Sequence, residues 1–257
     1  MAESTEILNS RFDITTLSGA VEHAIDRIEA GERGWICTVN VAVLMMMRSD
    51  PFLQSFVDRS MAVVADGQPI VWASKWFGQR LPGRVTGVDL VHELSDAAAE
   101  AGFGIYLLGA TQEVVEQLAD QLRLDVPGID VRGVADGYFD AGDAPARAAA
   151  IRESGAKILF VGMGVPRQER FIDEHWDDLG VNFAIGVGGS FDVLAGLRSR
   201  APRFVQRVGL EWLYRLVQEP RRLAKRYLVT NSLFTYHVVR DVTRQWLARV
   251  KPAEKEV

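Results

Sequence analysis

The sequence holds one cysteine, Cys37. An internal disulfide is excluded, which fits a reducing cytoplasm. Cys37 lies in an apolar, strand-like run, where a free cysteine behaves as a small core residue. No stretch of about 18 apolar residues occurs; the longest candidate, residues 39–47 (VNVAVLMMM), stops at Arg48. No membrane-spanning helix is therefore read. The opening residues MAESTEILNSRFD lack a basic region followed by an apolar run, so no signal peptide is read either. The four histidines (His23, His92, His175 and His237) are scattered, and no HxxxH or CxxC spacing suggests a metal centre. A DxD pair of the kind that holds a divalent cation on a nucleotide sugar is also missing. Gly188-Gly189-Ser190 is followed by no lysine, so it is not a P-loop, and Gly162-Met163-Gly164 lacks the third glycine of the dinucleotide fingerprint and runs into Pro166. Nicotinamide chemistry is disfavoured.

Hydrophobic residues make up 48% of 257, with six Trp and twelve Phe, enough for one large domain or a domain with an appendage. The net charge of −5 conceals an asymmetry. Residues 198–251 carry 13 Lys/Arg against 3 Asp/Glu, a local charge of +10, which leaves −15 for the rest. A basic end on an acidic protein ordinarily meets something anionic, although a solvated helix face would look similar.

The first 200 residues alternate short apolar runs with helical patterns. Strands are expected at 35–39, 62–65, 104–108, 129–134, 158–161 and 183–187. Most are apolar throughout, as for strands covered on both faces. The run 129–134 alternates with Asp130 and Arg132 and reads as an edge strand. Helices are expected at 87–101, 111–122, 144–154 and 167–179, the second capped by Thr111. This alternation predicts an α/β fold, a Rossmann-like, mostly parallel sheet with helices on both faces. Beyond Gly196 the strand pattern stops. Residues 202–208, 210–218 and 221–250 read as helices broken at Gly209 and Pro220. The expected division is an α/β core at 1–201 and a basic helical C-terminal appendage at 202–257, its last six residues frayed.

Ligands of open α/β sheets bind beyond the carboxyl ends of the strands. Five polar or glycine-rich groups fall there: Thr38-Val39-Asn40, Asp66-Gly67-Gln68-Pro69, Gly109, Gly162 to Glu169 (GMGVPRQE), and Gly188-Gly189-Ser190-Phe191-Asp192. Each alone reads equally well as a turn or a helix cap. Their convergence on one sheet edge favours a site. Gly188-Gly189-Ser190 precedes a helical stretch, where free N–H groups suit a diphosphate. Without metal, the departing diphosphate must be stabilised by helix ends, Arg and Lys.

These groups, with Arg84-Val85-Thr86-Gly87-Val88-Asp89, Tyr106-Leu107-Leu108-Gly109-Ala110, Gly137-Tyr138-Phe139, Arg200-Ala201-Pro202, Gly209 to Arg215 (GLEWLYR) and Glu219-Pro220-Arg221-Arg222, closely resemble the WecG/TagA/CpsF family of bacterial glycosyltransferases over residues 10–230. The resemblance implies transfer of a sugar, of N-acetylmannosamine or glucose type, from a UDP donor to an undecaprenyl-diphosphate-linked saccharide, with inversion and with no metal or other cofactor. It implies Asp66 as base, with Asp89 and Asp192 as rival carboxylates, of which Asp89 better suits bracing the following helix. Thr38, Asn40 and Gln168 stand beside Asp66 in the catalytic set. Substrate contacts are expected from Arg84, Thr86, Gly109, Gly164, Gly188, Gly189 and Asp192, and Arg215, Arg222 and Arg226 of the appendage are expected to complete the site. The acceptor implies a peripheral location on the inner face of the bacterial membrane. Arg221, Arg222, Lys225 and Arg226 would meet anionic lipid, and Tyr227, Phe234, Tyr236 and Trp246 would sit at the interface. A nucleic-acid arm is the disfavoured reading of that basic stretch. A homo-oligomer is left open, as are two rival functions: a nucleotide-sugar hydrolase and a non-catalytic sensor or assembly factor.

Overall fold

The structure, a computed structural model, describes residues 3–207 and 209–250. The side chains of Arg203, Arg222, Arg249 and Val250 lie outside the described residues, as does the segment 252–257 expected to fray. Six strands form one parallel sheet: β3 (Gly34–Val39), β4 (Ala62–Ala65), β5 (Ile105–Gly109), β6 (Val131–Ala135), β7 (Ile158–Gly162) and β8 (Phe183–Gly186), in the order β4-β3-β8-β7-β5-β6. Each strand begins and ends within two residues of its sequence expectation. β6 lies on an edge, as its polar alternation suggested.

The continuous apolar runs still obey the two-residue period of a strand. Trp35, Cys37 and Val39 enter one core with Leu159 and Val161. Ile36 enters the other core with Ile158 and Phe160. The first core is covered by α2 (Val41–Met47), α3 (Pro51–Asp58), α7 (Ala144–Ser154) and α8 (Arg167–Leu179). The second lies under α1 (Leu17–Glu29), α5 (Gly87–Ala101) and α6 (Gln112–Asp125). Side-chain oxygens of Thr16, Asn40, Asp50, Thr86 and Thr111 cap α1, α2, α3, α5 and α6, satisfying N–H groups that each helix start leaves free.

The helices α1, α3 and α4 (Gln68–Ser74) are not among those expected from the sequence, and two further features also have no counterpart in that reading. An N-terminal hairpin of β1 (Ser4–Ile7) and β2 (Ser10–Asp13) packs beside β4, where Asp13 Oδ2 accepts from the Val63 N–H at 2.7 Å. It shields a sheet edge that would otherwise present free backbone groups. The apolar stretch after Asn40 is the short helix α2, buried on most sides because α12 (Pro220–Val250) lies across it.

Beyond α9 (Ser190–Leu194) come α10 (Arg203–Arg207), α11 (Glu211–Gln218) and α12. The tight α10–α11 turn passes through Gly209 at φ 76°, against Gln68 and Trp72 of α4 (Gln68–Ser74). Leu223, Phe234 and Val238 of α12 are buried, and the last two join the first core. Phe234 is thus a core residue, which corrects its expected place at a membrane interface. It falls on the helix face turned to α2. Tyr236, 61% exposed, falls on the opposite face, and Trp246, 60% exposed, falls on the flank between the two.

Gly109 closes β5 at φ 149°, and a Cβ there would stand 2.6 Å from the Gly162 backbone. Gly109→Ala combines strain with a clash that only backbone movement can relieve. It should cost about 3 kcal/mol or more, lowering Tm by roughly 6–12 °C. A variant that melts with the parent protein would show that these strand ends yield easily.

Candidate active site

A two-lobed cleft separates the carboxyl ends of β3, β4 and β8 from α11 and α12. One lobe is lined by Gln68, Arg84, Thr86, Glu211, Trp212 and Asn231. The other is lined by Thr38, Gly164, Gln168, Gly188, Gly189 and Ser199. Asn40, Asp66, Arg215, Arg226 and Tyr227 line both. Among the described residues, Asp66 is the one carboxylate common to the two lobes.

Asp66 follows β4 immediately, and its N–H continues the ladder to the Val39 carbonyl at 3.0 Å. Its side chain is half-buried and forms no ion pair among the described residues. Loss of solvation pushes its pKa up to about 7; Arg215 and Arg84 pull downward, and Glu211 and Asp89 push upward. A carboxylate with this pKa is poised to accept a proton near neutrality.

Thr38 donates to the Gly186 carbonyl at 3.1 Å, tying β3 to β8 below the cleft. Asn40 caps α2, its Oδ1 accepting from Ala42 at 3.0 Å and Val43 at 3.1 Å, so its amide nitrogen is the end left for a ligand. Gln168 is only 3% exposed. Its Oε1 accepts from the N–H groups of Gly164 (3.1 Å) and Gly188 (3.0 Å), and its Nε2 donates to Glu169 Oε1 at 2.8 Å. Gln168 therefore fastens the loops after β7 and β8 together. Glu169 is buried beneath it, and desolvation raises its pKa to about 7. The Gly188 N–H, expected to face a diphosphate, is already used by Gln168. The helix that follows, α9, has five residues, too few for a sizeable macrodipole.

Thr86 accepts from the Asp89 N–H at 3.2 Å and donates to Asp89 Oδ2 at 2.7 Å, so its hydroxyl serves the start of α5. Asp89 binds Arg200 through two further contacts of 2.6 and 2.8 Å and braces α5, as expected. These hydrogen bonds and the Arg200 and Arg84 charges hold its pKa low against partial burial. Arg84 pairs with Glu211 and reaches Gln206 Oε1 at 3.3 Å. Arg215 lies 3.5 Å from the other Glu211 oxygen. Arg226 stands over Tyr227, 5.4 Å from the ring centre. Gly109 and Asp192 line neither lobe. Gly109 packs against Gly162, and Asp192 lies 3.8 Å from Arg198. The side chain of Arg222 lies outside the described residues.

Three contributors stood in the motifs that carry the resemblance but were not assigned to the site. Glu211 and Arg200 link the core to α11, and Trp212 packs edge-on against Tyr227 at 6.1 Å. Glu211 did leave a signal, as the lone acid between Arg198 and Gln218 in a run rich in arginine.

The arrangement holds a desolvated carboxylate, several guanidinium groups and two glycine loops, the equipment of a transfer reaction with an anionic leaving group. Comparison with known proteins decides the class. The glycosyl transferase WecG/TagA/CpsF family description matches residues 5–248.

The chain belongs to the WecG/TagA/CpsF family of glycosyltransferases.

A relative from Bacillus spizizenii (strain W23), an N-acetylglucosaminyldiphosphoundecaprenol N-acetyl-beta-D-mannosaminyltransferase, is 32% identical over 195 residues, spanning 76% of this chain and 75% of its own. As a WecG/TagA/CpsF glycosyltransferase, the chain carries its candidate base on the sheet and much of its arginine on the C-terminal helices. No helix among the described residues is long and apolar enough to cross a membrane.

Proposed function

We propose that this glycosyltransferase moves a sugar of N-acetylmannosamine or glucose type from a UDP donor to an undecaprenyl-diphosphate-linked saccharide, in the synthesis of a cell-surface polysaccharide. The relative's acceptor supports an undecaprenyl-diphosphate-linked N-acetylglucosamine. The observation that carries the reading is Asp66, the carboxylate reached from both lobes with its pKa raised to about 7.

In the proposed step the acceptor hydroxyl attacks the anomeric carbon from the face opposite the diphosphate. Its proton passes to Asp66. The bond from the anomeric carbon to the diphosphate oxygen breaks, the electron pair stays on that oxygen, and UDP departs with inversion. Arg215, Arg226 and Arg84 meet the charge of the donor or acceptor diphosphate. Thr38 and Gln168 keep the cleft floor and glycine loops in place, and the Asn40 amide meets a sugar hydroxyl.

We further propose that transfer needs no metal. No group of three His, Cys, Asp or Glu among the described residues is arranged to hold an ion, and the arginines supply positive charge instead. Activity should persist in excess EDTA. Loss with EDTA and return with Mn²⁺ or Mg²⁺ would overturn this part. A panel of UDP-sugars with a short-chain prenyl-diphosphate saccharide, read by mass spectrometry, tests the main reading. Free sugar formed faster than glycosylated lipid would point to a hydrolase.

The enzyme is proposed to work as a peripheral protein on the inner face of the bacterial membrane. Arg221, Lys225 and Arg226 are exposed on α12 near the cleft mouth, and Tyr236 and Trp246 are exposed farther along it. This pattern suits an anionic lipid surface.

A further inference from the structure

We propose that Glu211 is a positioning residue that keeps Asp66 free, by drawing the arginines of the cleft onto a different carboxylate. The proposal rests on Asp66 being the base.

A carboxylate surrounded by guanidinium groups is normally captured by them, because a charge-assisted pair is among the strongest side-chain contacts. A captured carboxylate is a poor base: its pKa falls and its lone pairs are occupied. Asp66 is faced by Arg215 and Glu211 from α11, by Arg84 from the loop before α5, by Asp89 from α5 and by Arg200 from the segment before α10. Arg226 of α12 lines the same cleft. Yet Asp66 has no ion pair among the described residues. Arg84 and Arg215 both bind Glu211, one from the core and one from the appendage, at different oxygens. Arg200 lies 3.9 Å from Glu211 and is held by Asp89. Glu211 is 7% exposed, so little water competes for these contacts.

The location gives the device its use. Arg215 must lie close to Asp66 if it is to meet a phosphate, but it must not close on it. Glu211 precedes Arg215 by four residues, so both project from one face of α11. The first turn of that helix thereby holds the arginine of the next turn away from Asp66. Glu211 also pushes the Asp66 pKa upward through its own charge. Release of the arginines and loss of that charge act in the same direction.

The test is a titration of the Asp66 carboxyl by ¹³C NMR in the full chain, which does not require turnover. Glu211→Gln should lower the midpoint by about 1–3 pH units. Adding Arg215→Gln to that variant should bring it part-way back. In steady-state assays the acid limb of kcat should move down by the same interval, and kcat on the plateau should fall as the base weakens. A midpoint that stays or rises in the folded Glu211→Gln variant overturns the proposal. If Gln at 211 prevents folding, Glu211→Asp withdraws the charge by one methylene and should lower the midpoint by less. An unmoved midpoint there overturns it as well. Normal turnover in Asp66→Asn would instead remove the base assignment, a separate result read from a separate variant.

Discussion

Asp66→Asn is expected to lower turnover by roughly 10²–10⁴, the usual contribution of a general base, while UDP binding stays nearly intact. Asparagine keeps the size and shape of the side chain at the end of β4. It cannot take the acceptor proton. Near-normal turnover in the purified variant would remove Asp66 from the mechanism. The raised pKa adds two signatures. The base acts only when ionised, so activity should fall as pH drops through about 7. Stability should follow the opposite trend. The folded protein favours the protonated carboxyl more than the unfolded chain does, so this contribution is full below about pH 4 and lost as pH rises through about 7. Asn removes the dependence, so the variant's Tm should gain on the parent's between pH 4 and pH 7 and then hold that lead.

Truncation after Pro202 is expected to abolish transfer. Arg215, Arg226 and Tyr227 wall both lobes, and all three would be lost. The deletion would also bare the face of α2 that meets Phe234 and Val238, so the remaining sheet should be less stable. If α12 docks on lipid, each Lys or Arg near the surface contributes about 1 kcal/mol. Loss of Arg221, Lys225 and Arg226 alone then weakens binding to anionic vesicles roughly a hundredfold, and the difference should shrink at high salt. Co-sedimentation with anionic and neutral vesicles measures it. Arg226→Ala separates the two uses of the helix. It should lower turnover even on a soluble acceptor if the side chain meets a diphosphate, and only on vesicles if it serves lipid alone. A truncated chain that binds vesicles and turns over like the full one would exclude both roles for the tail.

The sequence by itself determined the strands, most helices and the parallel class. Apolar runs of four to six residues between helical periods have few other ways to be buried, and chain order places Thr38, Asp66, Gln168 and Gly188 at strand ends. Motif order likewise carried the family resemblance. What only the tertiary structure decided depends on long-range contact. Phe234 looks like any aromatic on a basic helix until α12 is laid on α2. Gly109 and Gly188 look alike in sequence, yet one packs against the Gly162 backbone and the other lines the cleft. The hairpin β1–β2 has too few apolar residues to announce itself, and Asp13 gains its role from β4, fifty residues away. The Arg84–Glu211 pair joins residues 127 apart. No local period encodes such a contact, because it exists only when α11 closes over the sheet. The raised pKa of Asp66 has the same origin: desolvation belongs to the cleft as a whole, and the neighbouring charges come from two distant stretches of chain, residues 84–89 and 211–215.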